Sequence, residues 1–245
     1  MKLIINSDDF GLTKSINKGI LQGMKEGIIT STSIMMNMPG AEDAIEIIKA
    51  NNLENIGIHI NLTVGKPLRS DVESLVDETG KFYYRDLIGE KSTYEDAKKE
   101  MKEQIESFLA RGLTLDHLDN HHDLYKHKHL MKAMYELAKE YNLPMRTKNG
   151  KLKEKAKELG IKTPDFLFEK YMGENISVET LKEAVSNKQF EVVEIMTHSG
   201  YIDDEAMEIT SYNKEREKEL ATLIEAKKQG IFEAVELISF YDLNK

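Results

Sequence analysis

The chain reads as a parallel α/β fold, and three observations carry that reading. Short apolar, β-rich runs alternate with amphipathic helical stretches along the sequence. The connections between them are mostly short, which favours a barrel or a doubly wound sheet. Asp or His stands at or just past the C-terminal ends of four expected strands, as Asp8-Asp9, His59, His121 and His198. Barrel enzymes carry their catalytic groups on that rim, contributed by several different strands. The barrel is therefore the preferred form.

Residues 3–5 form a first buried strand that ends at the acidic pair. Residues 14–26 form a helix with Ile16, Ile20 and Met24 on one face, closed by Gly27. A second strand over 30–38 stops at Pro39-Gly40, a helix covers 41–50, and a third strand over 56–62 carries His59. Residues 64–92 are irregular, with Gly65, Pro67, Gly80 and Gly89. A loop of that length is more often functional than idle, so it reads as a substrate loop.

A charged helix over 94–111 stops at Gly112. The His-rich segment follows as a fourth strand, then a helix over 129–141. Residues 144–147 read as a short fifth strand and 151–159 as a short helix, whereas 165–171 fits either pattern. A helix over 178–186, a strand over 190–196 and a helix over 214–229 with Gly230 as its C-cap come next. A last strand covers 235–240. Without repeats or a composition break, residues 1–245 read as one domain.

Composition bounds the function. A hydrophobic fraction of 40% and a charged fraction of 31% suit a soluble globular protein with one sizeable core. A net charge of −9 argues against a nucleic-acid partner, which wants a basic surface. The absence of cysteine excludes disulfides, thiol nucleophiles and Cys-ligated zinc, so any metal must sit on nitrogen and oxygen. No apolar run approaches the ~20 residues of a membrane span. The opening apolar run is also too short for a secretory signal, which leaves the cytoplasm as the default location. Homodimerisation is left open.

The chemistry gathers around one segment. His117, Asp119 and His121 alternate, so an extended backbone aims all three to one face. His121 lies deepest toward the rim and is the preferred metal ligand, with His122 as its rival. Asp119 is placed to orient a ligand imidazole from behind, and His117 to do so from further down. His127 and His129 follow on a Lys-rich helix start and read as solvated. Asp8 and Asp9 would point apart on a regular strand, but a tight turn at Phe10-Gly11 would bring both into one cavity. The plain alternative for that pair is a helix N-cap.

His59 sits among apolar residues and is a ligand candidate, with Asn61 on the same face as its outer partner. His198 titrates near working pH and can protonate a leaving group. Arg146 can hold a catalytic carboxylate or a substrate oxygen. An Asp plus two His with open positions is a catalytic metal site, able to activate water and polarise a carbonyl. That ligand set suits zinc, cobalt, nickel or manganese better than magnesium.

The blocks Asn6-Ser-Asp-Asp-Phe-Gly-Leu12, Gly57-Ile-His-Ile-Asn-Leu-Thr63, His117-Leu-Asp-Asn-His-His122 and Thr197-His198 resemble the signature segments of the YdjC-like carbohydrate deacetylases. That family includes the chitooligosaccharide (diacetylchitobiose) deacetylases. The resemblance runs from the first strand to the last. It implies a distorted (β/α) barrel of the glycoside hydrolase/deacetylase type that removes N-acetyl groups from small acetylated amino sugars or oligosaccharides. It further implies Asp8 as general base, Asp9, His59 and His121 as ligands of one divalent ion, His198 as acid, and magnesium as the ion.

Three departures stand out. Ser7 replaces the usual alanine. The third block continues as His122-Asp-Leu-Tyr125 and lacks an outer histidine. Ser199-Gly200 follows His198 where proline is usual. These changes spare the ligands and bear on substrate preference. Phe82, Tyr83 and Tyr84 in the loop are candidates to stack on sugar rings. A metal-dependent phosphoesterase is one alternative, although no clear set of extra cationic groups is visible. A non-catalytic metal- or sugar-binding protein on the same fold is another. Asp8 and His198 argue against the latter, because pure binding needs neither base nor acid.

Overall fold

Strand β1 (Lys2–Phe10) runs well beyond the apolar residues that announce it, because its polar second half is buried and satisfied by partners from other strands. The Asn6 side-chain oxygen accepts from Ser31 Oγ at 2.7 Å, and the Ser7 carbonyl accepts from Thr32 Oγ1 at 2.5 Å. The computed structural model describes residues 1–26 and 28–244. Helix α1 (Lys14–Lys25) follows, with Thr13 as an N-cap that accepts from the Ile16 amide. Gly27, its expected stop, lies outside the described residues.

The chain continues through β2 (Ser31–Ile34), α2 (Ala41–Asn51) and β3 (Ile56–Ile60) to α3 (Asp86–Lys91) and α4 (Tyr94–Leu109). Then come β4 (Leu118–Asn120), α5 (Lys128–Glu140), α6 (Lys151–Glu158) and β5 (Phe166–Phe168). It ends with α7 (Val178–Val185), β6 (Val192–Thr197), α8 (Asp204–Ile209), α9 (Lys214–Lys228) and β7 (Glu236–Leu237). Gly112 and Gly230 close α4 and α9 at positive φ, as expected of helix-ending glycines.

All the strand pairs are parallel, in the order β4-β3-β2-β1-β6-β5, with β7 joining the start of β1. The sheet curls beyond β4. Residues 144–147 are not a full strand but make one parallel bridge, Leu118 to Met145, and the Met145 amide reaches the Lys162 carbonyl at 3.0 Å. The remaining gap to β5 is spanned by the Asn149 side chain, which donates to the Leu167 carbonyl and accepts from its amide, both at 3.0 Å. The result is a single-domain α/β fold whose curled parallel sheet matches the distorted (β/α) barrel.

The 64–92 stretch and the last strand also depart from the sequence reading. The 64–92 stretch is not a bare loop; it holds a 3₁₀ turn at Glu73–Leu75, a Val76–Phe82 bridge and α3. Val72, Leu75, Phe82 and Ile88 from this stretch are buried against the main core. Strand β7 is only two residues long because the chain turns at once into a 3₁₀ segment, Phe240–Asn244. Phe240 is buried there and stacks on His117 with ring centroids 3.9 Å apart, which floors the barrel.

Candidate active site

The acidic pair sits at an irregularity in β1. Pairing with β2 shifts between Ser7 and Phe10, and Asp9 takes a left-handed φ of 71°. Residues in that conformation break the alternation of a strand. Asp8 thereby lines a cleft of about 400 Å³ at the C-terminal ends of the strands together with His59, His121, His122, Arg146 and His198, while Asp9 is buried directly behind His59 and His121. The expected turn at Phe10-Gly11 is present, closed by the Leu12 amide on the Asp9 carbonyl at 3.0 Å with Gly11 at φ 87°, and the left-handed Asp9 leads into it.

Asp9, His59 and His121 bring ligand-type atoms within 4.8 Å of one another and form a group able to hold a metal ion. Asp9 Oδ1 lies 3.3 Å from His59 Nε2 and 3.0 Å from His121 Nδ1. Two donors each about 2.1 Å from a shared ion would be about 3.0–3.4 Å apart at octahedral or tetrahedral angles. The observed separations fit. Asp9 Oδ1 is also buried without a hydrogen-bond partner, an orphan that a native fold rarely leaves unless an ion or water claims it. His59 Nδ1 stands 2.8 Å from Asp119 Oδ1, and the Ser33 hydroxyl donates to Asp119 Oδ2 at 2.8 Å. A proton on Nδ1 toward Asp119 leaves the Nε2 lone pair facing Asp9.

His121 and His122 part because of the backbone. The His121 amide still reaches the Ile60 carbonyl at 2.9 Å, which extends the β3–β4 ladder by one residue. His122 then turns at φ 56°, and its Nδ1 pairs with Thr63 Oγ1 at 2.8 Å beneath Tyr84. It lines the cleft but stays outside the three-residue group.

Arg146 grips Asp8 with both terminal nitrogens, at 2.6 and 2.7 Å, and donates through Nε to Glu194 at 2.6 Å. Its Nη1 is also 3.1 Å from Asp119. His198 Nε2 stands 4.0 Å from Asp8 Oδ2. The Ser199-Gly200 step after it allows close packing, because a Cβ on Gly19 of α1 would already sit 2.6 Å from Gly200 Cα.

Other expected residues do different work. Asn61 does not hydrogen-bond to His59; its side chain closes the turn after β3 by donating to the Val64 carbonyl and accepting from the Thr63 and Val64 amides. His117 touches no ligand imidazole. It pairs with Asp116 at 3.2 Å and lies on Phe240, in space that Gly57 leaves free. His127 and His129 are half-buried, not solvated, because α3 packs on them: His127 covers Gly89, and His129 Nε2 lies 3.0 Å from Ser92 Oγ. Phe82 is buried, and Tyr83 packs on the core, which leaves Tyr84, 55% exposed and edge-on to the cleft residue His122, as the exposed member of the three.

Charge in the cleft is strongly biased. Burial pushes the Asp9 carboxyl up, yet His121 and Arg216 hold it well below the usual range. Burial opposes charge on His59, but Asp119 and Asp8 push it up to about 10. The surroundings call for positive charge at this point, which a bound cation would supply. Burial pushes His198 down to about 4 against the pull of Asp8 and Asp9, so it is neutral at neutral pH.

The sequence reading missed Glu194, Arg216 and Glu219. Glu194 interrupts the apolar run of β6, and the other two stand on the Leu220/Leu223/Ala226 face of α9. A charge inside an apolar stripe was the available signal.

A curled parallel sheet with a buried Asp/His group at the C-terminal ends of its strands is the arrangement of a barrel-type enzyme with a candidate metal site. A family model for YdjC-like proteins matches residues 2–234, and the chain belongs to that family. It is 38% identical to a carbohydrate deacetylase of Clostridium beijerinckii over 99% of this chain and 100% of that one. It also superposes on a protein of Enterococcus faecalis V583 described as a cellobiose-phosphate cleavage protein. That match has TM-score 0.92 and 32% identity and covers 99% and 98% of the two chains. A family 4 acetyl xylan esterase from Clostridium thermocellum, in complex with cobalt, shares the fold at TM-score 0.50 and 11% identity, covering 99% of this chain and 90% of that one. The carbohydrate deacetylase relatives and this fold support deacetylase activity.

Proposed function

We propose that the chain is a metal-dependent deacetylase that removes N-acetyl groups from small acetylated amino sugars, chitooligosaccharides among them. The observation that carries the reading is the Asp9, His59 and His121 group, set at the wall of a cleft that Asp8 and His198 also line. A divalent ion held by that group would activate water and polarise the acyl oxygen. The two-imidazole donor set favours zinc or another transition metal over the magnesium that the family resemblance implies.

Asp8 takes the proton of the attacking water, with its geometry set by the two Arg146 bonds. His198, neutral at rest, accepts that proton from Asp8 across the 4.0 Å gap and passes it to the leaving nitrogen as the C–N bond breaks. The cycle closes with acetate and a free amine, and both groups return to their starting states. Tyr84 is the surface on which a neighbouring sugar ring would stack, which gives the 64–92 segment its substrate role.

The phosphoesterase alternative has one observation in its favour. Arg85, Lys126 and Lys148 line the cleft. Lys126 and Lys148 are, however, already paired with Asp86, Asp123 and Glu169. Acetate release from N-acetylated chitooligosaccharides, with and without chelator, tests the proposal on wild type and Asp8→Asn. The expected result is chelator-sensitive release that falls about 10²–10⁴-fold in the variant. No acetate from any acetylated sugar while metal is bound, or phosphate release from a phosphoester panel, would overturn it.

A further inference from the structure

We infer that Arg216 is a positioning residue that ties the Asp9 carboxylate to the main chain carrying His198, with Glu219 holding the other side of His198. The inference rests on the reading of Asp9 as a ligand and His198 as the acid. Both charged residues lie on α9, three positions apart and hence on one face.

The Arg216 side chain is 2% exposed, and its guanidinium meets four acceptors. Nη2 donates to Asp9 Oδ2 at 2.6 Å and to Thr210 Oγ1 at 3.5 Å. Nε donates to the Tyr212 carbonyl at 2.8 Å, and Nη1 to the His198 carbonyl at 3.4 Å. A flat, branched cation can serve this spread of acceptors, whereas a lysine ammonium is a single point. The bond to Oδ2 occupies one Asp9 oxygen. Oδ1 is left facing His59 and His121, so Asp9 is presented as a one-oxygen donor.

Glu219 is fully buried. Its Oε2 accepts the His198 amide at 2.5 Å, its Oε1 accepts the Tyr212 hydroxyl, and His198 Nδ1 lies 4.0 Å from Oε1. The segment that bears the acid is therefore gripped at its carbonyl by Arg216 and at its amide by Glu219. Leu220, Leu223 and Ala226 pin the helix against the core, which makes α9 a rigid mount for both contacts. A carboxylate's partners and an acid's anchor thus share one element. Displacing that helix would disturb metal affinity and proton delivery together.

The test is calorimetric titration of Co²⁺ into chelator-stripped protein, joined to the pH profile of acetate release. Wild type should bind one Co²⁺, and Asp9→Asn should lose it. Arg216→Lys should weaken Co²⁺ binding about 10–100-fold, the usual effect of removing a ligand's outer partner. Arg216→Gln carries the same expectation should the lysine variant not fold. Glu219→Gln should keep Co²⁺ affinity and KM while kcat falls about 10-fold or more and the alkaline limb of its pH profile moves. Co²⁺ bound by the Arg216 variants as tightly as by wild type, or more tightly, overturns the Asp9 half. A Glu219→Gln enzyme with unchanged kcat and pH profile overturns the His198 half. Failure of the underlying reading looks different: wild type itself then binds no Co²⁺, or Asp9→Asn still binds it.

Discussion

Arg146→Met isolates the electrostatics of the barrel interior. The guanidinium is the shared partner of three buried carboxylates, Asp8, Asp119 and Glu194, at 2.6, 3.1 and 2.6 Å. Methionine fills much of the same volume without the charge, so the variant reads charge loss more than cavity formation. Breaking one buried pair by removing a partner typically costs about 3–5 kcal/mol, a large share of the ~5–15 kcal/mol that holds a domain folded. With a urea m-value near the upper end of ~1–3 kcal/mol/M, the midpoint should fall by about 1–2 M.

The loss should depend on pH. Burial already pushes Glu194 up to about 7 against Arg146, so this group can shed its charge by binding a proton. Without the arginine Glu194 takes its proton at a higher pH still, so relative to wild type the variant recovers ~1.4 kcal/mol per unit as pH falls toward about 7. Below that, where both proteins carry the proton, the deficit levels off. Although burial pushes Asp119 up, His59 and Arg146 hold it well below the usual carboxylate range, and it offers no such relief near neutrality. Urea unfolding followed by circular dichroism at pH 8 and pH 6 checks both points. A midpoint at pH 8 within about 0.3 M of wild type, or a deficit equally large at pH 6, would refute the reasoning.

Three further outcomes follow from named contacts. Gly57→Ala should destabilise by about 1–3 kcal/mol, because its Cβ would stand 2.4 Å from His117 Cε1 while Phe240 blocks the ring's retreat; thermal unfolding measures this, and adding His117→Ala should recover part of the loss. Burial opposes charge on His117, but Asp116 and Asp119 push it up to about 9, so its stabilisation is complete below an unfolded value of about 6.5 and is lost as pH rises through 9. Wild type should therefore lose more stability than His117→Gln between pH 6 and 9.5, and equal losses would count against the Asp116–His117 pairing. Tyr84→Ala should raise KM for an oligosaccharide about 2–10-fold, the equivalent of one lost ring contact, with kcat little changed; a fall in kcat alone would remove Tyr84 from substrate binding.

Much of the site was legible because the fold places it by rule. Asp9, His59 and His121 come from three strands, and alternation plus strand ends is enough to bring them to one rim. The Asp119 contact to His59 follows from pairing at one register level of adjacent parallel strands. What escaped depends on residues far apart in the chain. The second half of β1 was not legible as strand because its polar groups are satisfied by partners from another strand, Ser31 and Thr32. The 64–92 segment looked irregular because Glu100, on α4, is what captures the Leu68 and Arg69 amides. His127 seemed exposed because its cover is a glycine in another element. Local pattern cannot report a partner that arrives from elsewhere.

Asp8 meets Arg146 across 138 residues, and Asp9 meets Arg216 across 207. At about 5–20 residues per second, the acidic pair is synthesised roughly 10–40 s before the second of these arginines. Over the last third of that interval the nascent barrel holds Arg146 for Asp8 while the counter-charge of Asp9 has not yet been made. Closure of the rim is therefore a late event in the life of the chain, and a truncation before α9 would strand Asp9 without its arginine however well the earlier strands had paired.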